Sequence, residues 1–198
     1  MAARIVVLVS GSGTTLQALL DSSSRHFEVV AVISDDHSAP ALGRANRHGI
    51  ATEVVAPASY ADRRAWDAAL ADEIAVFNPD WIVCAGFMRV LGAPVLERFP
   101  QRIVNTHPAL LPAFPGAHAV RDALAYGAKV TGCTVHIVDA GVDTGPIIAQ
   151  ASVPVHEGDD EDVVHERIKQ VERGLLERTV DSLAQHGCTI EGRKVTIP

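Results

Sequence analysis

The sequence predicts an α/β chain with a mostly parallel sheet and helices on both faces. Three observations carry this. Ile5–Val9 is an unbroken apolar run that stops at a glycine-rich turn. The first half then alternates short apolar runs with helical patterns. The second half changes to two long strand-like stretches followed by one long amphipathic pattern. An unbroken apolar run of five residues suits a strand covered on both faces, as in parallel sheets. Strand–helix alternation implies right-handed crossovers between parallel neighbours. The fold class expected is therefore Rossmann-like, with antiparallel strands added in the C-terminal half.

The elements follow in order. After the Ile5–Val9 strand, Thr14–Leu20 reads as a helix, Val29–Ser34 as a strand and Ala41–His48 as a helix. Thr52–Val55 is a short strand and Asp62–Val76 a helix with Ala65, Ala69, Ile74 and Val76 among its apolar members. Trp81–Ala85 and Ile103–Val104 supply further strand signals. Lys129–Val138 and Pro146–Val153 are longer strands that suit antiparallel pairing. Asp159–Leu183 repeats Val164, Ile168, Val171, Leu175, Val180 and Leu183 at helical steps, behind an acidic start that favours a helix N-terminus. The tail, Cys188–Pro198, has room for one short strand.

Composition narrows the class. Apolar residues form 47% of 198, enough for a real core in a single domain spanning residues 1–198. The formal charge of −7 argues against nonspecific binding to nucleic acid or membrane, both polyanionic. The first apolar run is too short for a signal peptide or a membrane span. Cys84, Cys133 and Cys188 form no CxxC pair, which suits reduced thiols in a cytoplasmic protein. His107, His118 and His136 do not make a tight ligand pattern, so no metal is expected.

Two places carry chemistry. Gly11, Ser12, Gly13, Thr14 and Thr15 lie between a buried strand and a helix, where glycines allow close approach and free amides attract a phosphate. The loop lacks the Gly-Lys-Ser/Thr of a Walker A motif and the third glycine of a dinucleotide fingerprint. An ordinary capped turn would have the same composition. Asn105 and His107 follow the strand at 103–104, in a segment stiffened by Pro108, Pro112 and Pro115. Asp143 lies in a second loop, Asp139–Gly145. Brought together, the three suit acyl transfer to an amine: Asn105 and His107 stabilise an oxyanion, while Asp143 favours imidazolium and assists proton transfer. No serine or cysteine is placed as a nucleophile, so direct attack is simpler. Taken alone, Asn, His and Asp in loops also serve as turn residues.

On these residues, with Ala85–Leu91, Asn105–Pro112, Phe114-Pro115-Gly116 and Val135–Pro146, the chain resembles the glycinamide ribonucleotide (GAR) transformylases over nearly its whole length. The resemblance implies the formyltransferase fold, with Asn105, His107 and Asp143 as the catalytic trio. It implies 10-formyltetrahydrofolate as cosubstrate, lying along Met88, Arg89, Val90 and Leu91, against Asn105, and beneath Ala140, Gly141 and Val142. It implies that Gly13, Thr14 and Thr15 hold the phosphate of GAR, that Lys169 and Glu172 contact its ribose phosphate, and that Arg63 is associated with the folate. Thr14-Thr15 stand where the family often has Ser-Asn, and Val120 where it often has a second histidine; Lys169 occupies a variable position. The expected partners are these small molecules, with a homodimer left open. Two other readings stand beside this one: another formyl-folate enzyme, such as formyltetrahydrofolate hydrolase, and a noncatalytic phosphosugar-sensing α/β module. The tRNA-formylating relatives carry a further C-terminal domain and an Arg-Gly pair where this chain has Pro115-Gly116.

Overall fold

The structure is a computed structural model and describes all residues, 1–198. The chain forms two compact units, Met1–Val104 and Asn105–Pro198.

In the first unit, β1 (Ala3–Val9), β2 (Phe27–Ser34), β3 (Ala51–Val54) and β4 (Trp81–Cys84) are ordered β3-β2-β1-β4. β1 pairs parallel with β2 and with β4, and β2 pairs parallel with β3. β1 lies between β2 and β4, which is why Ile5 through Val9 are all 0% exposed and tolerate no polar member. The intervening helices are α1 (Thr14–Leu20), α2 (Pro40–Arg47), α3 (Arg63–Val76) and α4 (Ala93–Arg98). Pro40 opens α2 with its φ already helical. Asp62 caps α3 by accepting the Ala65 N–H at 2.8 Å. Trp66, Leu70 and Ile74 form the buried stripe of α3, and the Trp66 indole N–H donates to the Val55 carbonyl at 2.7 Å.

β5 (Ile103–His107) begins at the end of the first unit and carries Asn105 and His107 in the second. There the strand order is β5-β6-β7-β9-β8, with β6 (Val130–Ile137), β7 (Ile147–Pro154), β8 (Thr189–Glu191) and β9 (Lys194–Thr196). β6 and β7 pair antiparallel, as the sequence predicts. The tail forms two strands, a β8–β9 hairpin, rather than one. α5 (Ala119–Tyr126) and α6 (Glu161–His186) complete the unit, and α6 packs on β6 and β7. Asp160 caps α6 through the Val163 N–H at 2.9 Å. Val164, Ile168 and Leu176 are its deepest residues, with Val180 and Leu183 close behind.

α4 and α5 are short and bury only one and three residues, so their apolar signal is too brief to read. No helix is long and apolar enough to cross a membrane.

Candidate active site

The turn after β1 is braced by α2. Gly13 has φ 69°, and a Cβ there would lie 2.6 Å from the Cβ of Ala41. Only glycine satisfies both the left-handed backbone and the close approach. The Gly11 carbonyl accepts the Ala41 N–H at 3.1 Å, and the Ser12 carbonyl accepts Arg44 Nε–H at 2.8 Å. These bonds consume carbonyls, not amides. No side chain caps the start of α1. The turn is thus fixed from the α2 side. Arg44 is a participant the sequence reading missed, because a basic residue in a helix also reads as solvated surface.

A second turn follows β4. Ser10 N–H donates to the Gly86 carbonyl at 3.1 Å, and Ser10 Oγ accepts the Met88 N–H at 2.8 Å. Arg89 Nε–H donates to Asp35 at 2.7 Å, where Asp35 is buried at the end of β2. Beyond it, Asp67 accepts the Gly92 N–H at 3.0 Å and Arg63 Nε–H at 2.8 Å, and Arg63 also bonds the Val90 carbonyl. Arg63 stacks over Trp66, 4.8 Å from the ring centre. Arg63 is therefore tied into the turn, not loose on the surface. Met88 and Val90 stand 79% and 54% exposed, unusual for apolar residues held by so many hydrogen bonds. Leu91 is buried and anchors the turn instead.

The third cluster lies in the second unit. His107 Nδ1 lies 3.2 Å from Asp143 Oδ2, and its Nε2 lies 2.8 Å from the Phe114 carbonyl. A carbonyl only accepts, so Nε2 carries a proton. Asp143 Oδ2 also accepts the Gly116 N–H at 2.8 Å. Asp143 adopts φ 54°, left-handed for a non-glycine residue, in a loop closed by Asp139, which accepts Gly141 N–H and the Thr144 hydroxyl. Burial pushes the Asp143 carboxyl up, but the His136 ring, the Gly116 amide and the His107 charge outweigh it and hold the group below its usual range. Asn105 Nδ2 lies 3.3 Å from His136 Nε2, and His136 Nε2 lies 3.6 Å from Asp143 Oδ1. Asn105, His107 and Asp143 thus converge, with His136 among them. A cavity of about 380 Å³ opens beside Asp143, lined also by Leu111, Pro115, Ile147 and Arg193.

β6 explains how the cluster is held. Side chains alternate along a strand. On one face, Gly132 packs under Leu110, and Thr134 bonds both Ala109 and Leu111, joined by Gln150. His136 follows on that face and meets Asn105. Cys133 lies on the other face, close enough to Glu172 of α6 for that carboxylate to add to the rise of its thiol to about 12, mainly through burial. Glu172 is accordingly buried, while Lys169 is one-third exposed and lies 3.8 Å from Glu166. His136, Thr134 and Gln150 escape a motif search. The one sequence signal is a set of polar residues inside an otherwise apolar strand. Ala140 and Gly141 are exposed, and Val142 is 51% exposed. No group of three or more His, Cys, Asp or Glu is arranged to hold a metal ion.

Comparison with known proteins identifies the family. Residues 3–180 match the family model described as formyl transferase. The chain is 52% identical over 196 residues to phosphoribosylglycinamide formyltransferase of Mycobacterium tuberculosis, covering 98% of this chain and 91% of that one. It is 41% identical to the Escherichia coli phosphoribosylglycinamide formyltransferase over 174 residues, 86% of this chain and 82% of that one. A solved structure of glycinamide ribonucleotide transformylase 1 from Symbiobacterium toebii superposes with a TM-score of 0.95 at 48% identity, covering 99% and 94% of the two chains. With nearly its whole length matched in both sequence and fold, the chain belongs to the formyl transferase family.

Proposed function

We propose that this chain transfers the formyl group of 10-formyltetrahydrofolate to the amine of glycinamide ribonucleotide, giving formylglycinamide ribonucleotide and tetrahydrofolate in purine biosynthesis. The observation that carries the reading is the convergence of Asn105, His107 and Asp143, gathered around His136 by contacts of 3.2 to 3.6 Å. The names of the relatives support the same chemistry.

The cluster suits direct attack. The amine adds to the formyl carbon, the carbonyl oxygen becomes an oxyanion, and the amine nitrogen becomes cationic. Asn105 supplies an amide N–H to the oxyanion. His107 supplies positive charge: with Nε2–H held by Phe114, a second proton on Nδ1 turns the contact with Asp143 into an ion pair. Donation of the Nε2–H itself to the oxyanion requires the Phe114 carbonyl to release it. Asp143 is a weak base, since its carboxyl lies below the usual range. A weak base suffices, because the nitrogen on a tetrahedral carbon is far more acidic than a free alkylammonium. That proton is relayed to the departing folate nitrogen as the oxyanion collapses, so that the C–N bond to the folate breaks, tetrahydrofolate leaves with its N–H restored, and the formyl group stays on the GAR nitrogen.

Gly11, Ser12, Gly13, Thr14 and Thr15 hold the phosphate in this reading, with Lys169 and Glu172 at the ribose phosphate. Arg63, Met88, Arg89, Val90 and Leu91, with Asn105, Ala140, Gly141 and Val142, receive the folate. The exposed Met88, Val90 and Val142 favour this, since each offers apolar surface to a flat ring system. A cytoplasmic location accords with three free cysteines. Self-association into a homodimer belongs to the same proposal and is read by sedimentation equilibrium.

The test mixes protein, GAR and 10-formyltetrahydrofolate and follows folate absorbance. Formylated GAR is the expected product. Folate hydrolysis without GAR would establish the hydrolase instead, and phosphosugar binding without turnover the sensor.

A further inference from the structure

His136 is 2% exposed, yet its ring is not part of the reaction described above. A buried imidazole needs partners for both nitrogens. Nδ1 lies 2.9 Å from the Ile137 carbonyl, which only accepts, so Nδ1 carries the proton. With that proton placed, Nε2 of the uncharged ring presents a lone pair. It faces Asn105 Nδ2 at 3.3 Å and Asp143 Oδ1 at 3.6 Å. The second separation is the longer, so the uncharged ring takes the amide as its partner; a ring charged at Nε2 would turn to Asp143 instead, the contact that helps hold that carboxyl down.

This arrangement chooses between the two orientations of the Asn105 amide. As observed, one N–H of the Nδ2 group points at the Nε2 lone pair. A flipped amide would set Oδ1 against that lone pair, two acceptors with no hydrogen between them. The geometry points to His136 as a positioning residue for formyl transfer: the Ile137 carbonyl fixes its tautomer, and the tautomer fixes the Asn105 amide so that its second N–H stands ready in one place. The inference rests on the reading of Asn105 as the oxyanion donor. Preorganised donors are effective because they need no reorientation as charge develops. The alternation of β6 supports the assignment, since Thr134 two residues earlier steadies Ala109 and Leu111 from the same face.

Two variants test it. His136→Phe keeps the bulk and removes the acceptor, whereas His136→Gln restores an accepting oxygen. His136→Phe is expected to lower kcat about ten- to a hundredfold, less than the roughly hundred- to thousandfold loss of an oxyanion donor outright because the donor remains and only its orientation is lost, while the KM for each substrate moves less than about threefold. His136→Gln recovers part of that loss. In an Asn105→Ala background, His136→Phe has little further effect, because the group it orients is gone. Equal losses in Phe and Gln variants, or additive losses in the double variant, would overturn the assignment. Nitrogen-15 resonances of the ring and of the Asn105 side chain give a reading that needs no turnover. They should report Nδ1 protonated and a shifted Asn105 amide in His136→Phe. An unmoved amide sinks the pairing, whereas failure of the wild-type protein to formylate GAR removes only the reaction proposed for it.

Discussion

His107 Nδ1 and Asp143 Oδ2 stand 3.2 Å apart, and both side chains are largely closed to solvent. Removing either partner leaves the other buried without this contact. His107→Ala and Asp143→Asn are each expected to lower kcat at least a hundredfold, about the loss seen when an oxyanion-stabilising group is deleted. The circular dichroism spectrum should be unchanged. Near-normal steady-state rates in either variant would remove the mechanism.

Acid should destabilise the protein through two carboxylates. Asp143 and Asp159 both lie below their usual range in the folded chain, Asp159 at about 2 because Arg167, then the His156 amide, hydrogen-bond it. A carboxylate lowered by folding stabilises the native state above its unfolded value, about 3.9. That contribution fades as pH falls through the folded value. Urea midpoints should therefore be flat near neutrality and fall from about pH 4 downward. Asp159→Asn should flatten the fall; an unaltered slope would mean the pairing with Arg167 adds nothing.

Gly13→Ala should weaken the fold by about 2 kcal/mol or more, combining left-handed backbone strain of roughly 1–2 kcal/mol with overpacking against Ala41. Gly92→Ala should do likewise, since a Cβ there would sit 2.6 Å from Asp67 Cγ. Chemical denaturation measures both, and a shift under about 0.5 kcal/mol would show that the contacts relax freely.

Binding energies should divide between substrates. Lys169→Ala is expected to raise the KM for GAR severalfold with kcat held, as for a contact remote from the chemistry. Ser10→Ala should raise the KM for the folate, because its hydroxyl is the acceptor for Met88 N–H. A kcat-only effect from Lys169→Ala would contradict its placement.

Cys84 and Cys133 should resist iodoacetamide at pH 7.5 in the native protein and react on unfolding, since burial raises both thiols to about 12. Mass spectrometry after brief labelling decides this.

The parallel half of the fold was legible because its central strands carry long apolar runs, Ile5–Val9 and Val29–Ile33. α5 was not, since Ala119, Val120 and Ala123 give too short a stripe. Asn105, His107 and Asp143 could be proposed from chemistry and resemblance, but their distances depend on pairing between β5 and β6, a long-range property. His136 was weighed in the sequence only as a metal ligand, because nothing local marks its partners. Arg63 could be linked to the folate only through the resemblance, and it is Asp67, one helical turn on, that gives it a fixed place. The Phe114 carbonyl on His107 Nε2 was beyond any sequence reading, since a backbone group leaves no mark in composition.

β6 serves two clients at once, with even-numbered side chains under the 105–111 segment and odd-numbered ones toward the other side. Deleting a single residue from it would exchange these roles, sending Thr134 and His136 away from the reacting groups and setting apolar neighbours in their stead. Change in this scaffold is thus channelled toward the connecting loops, where length can vary without inverting a strand.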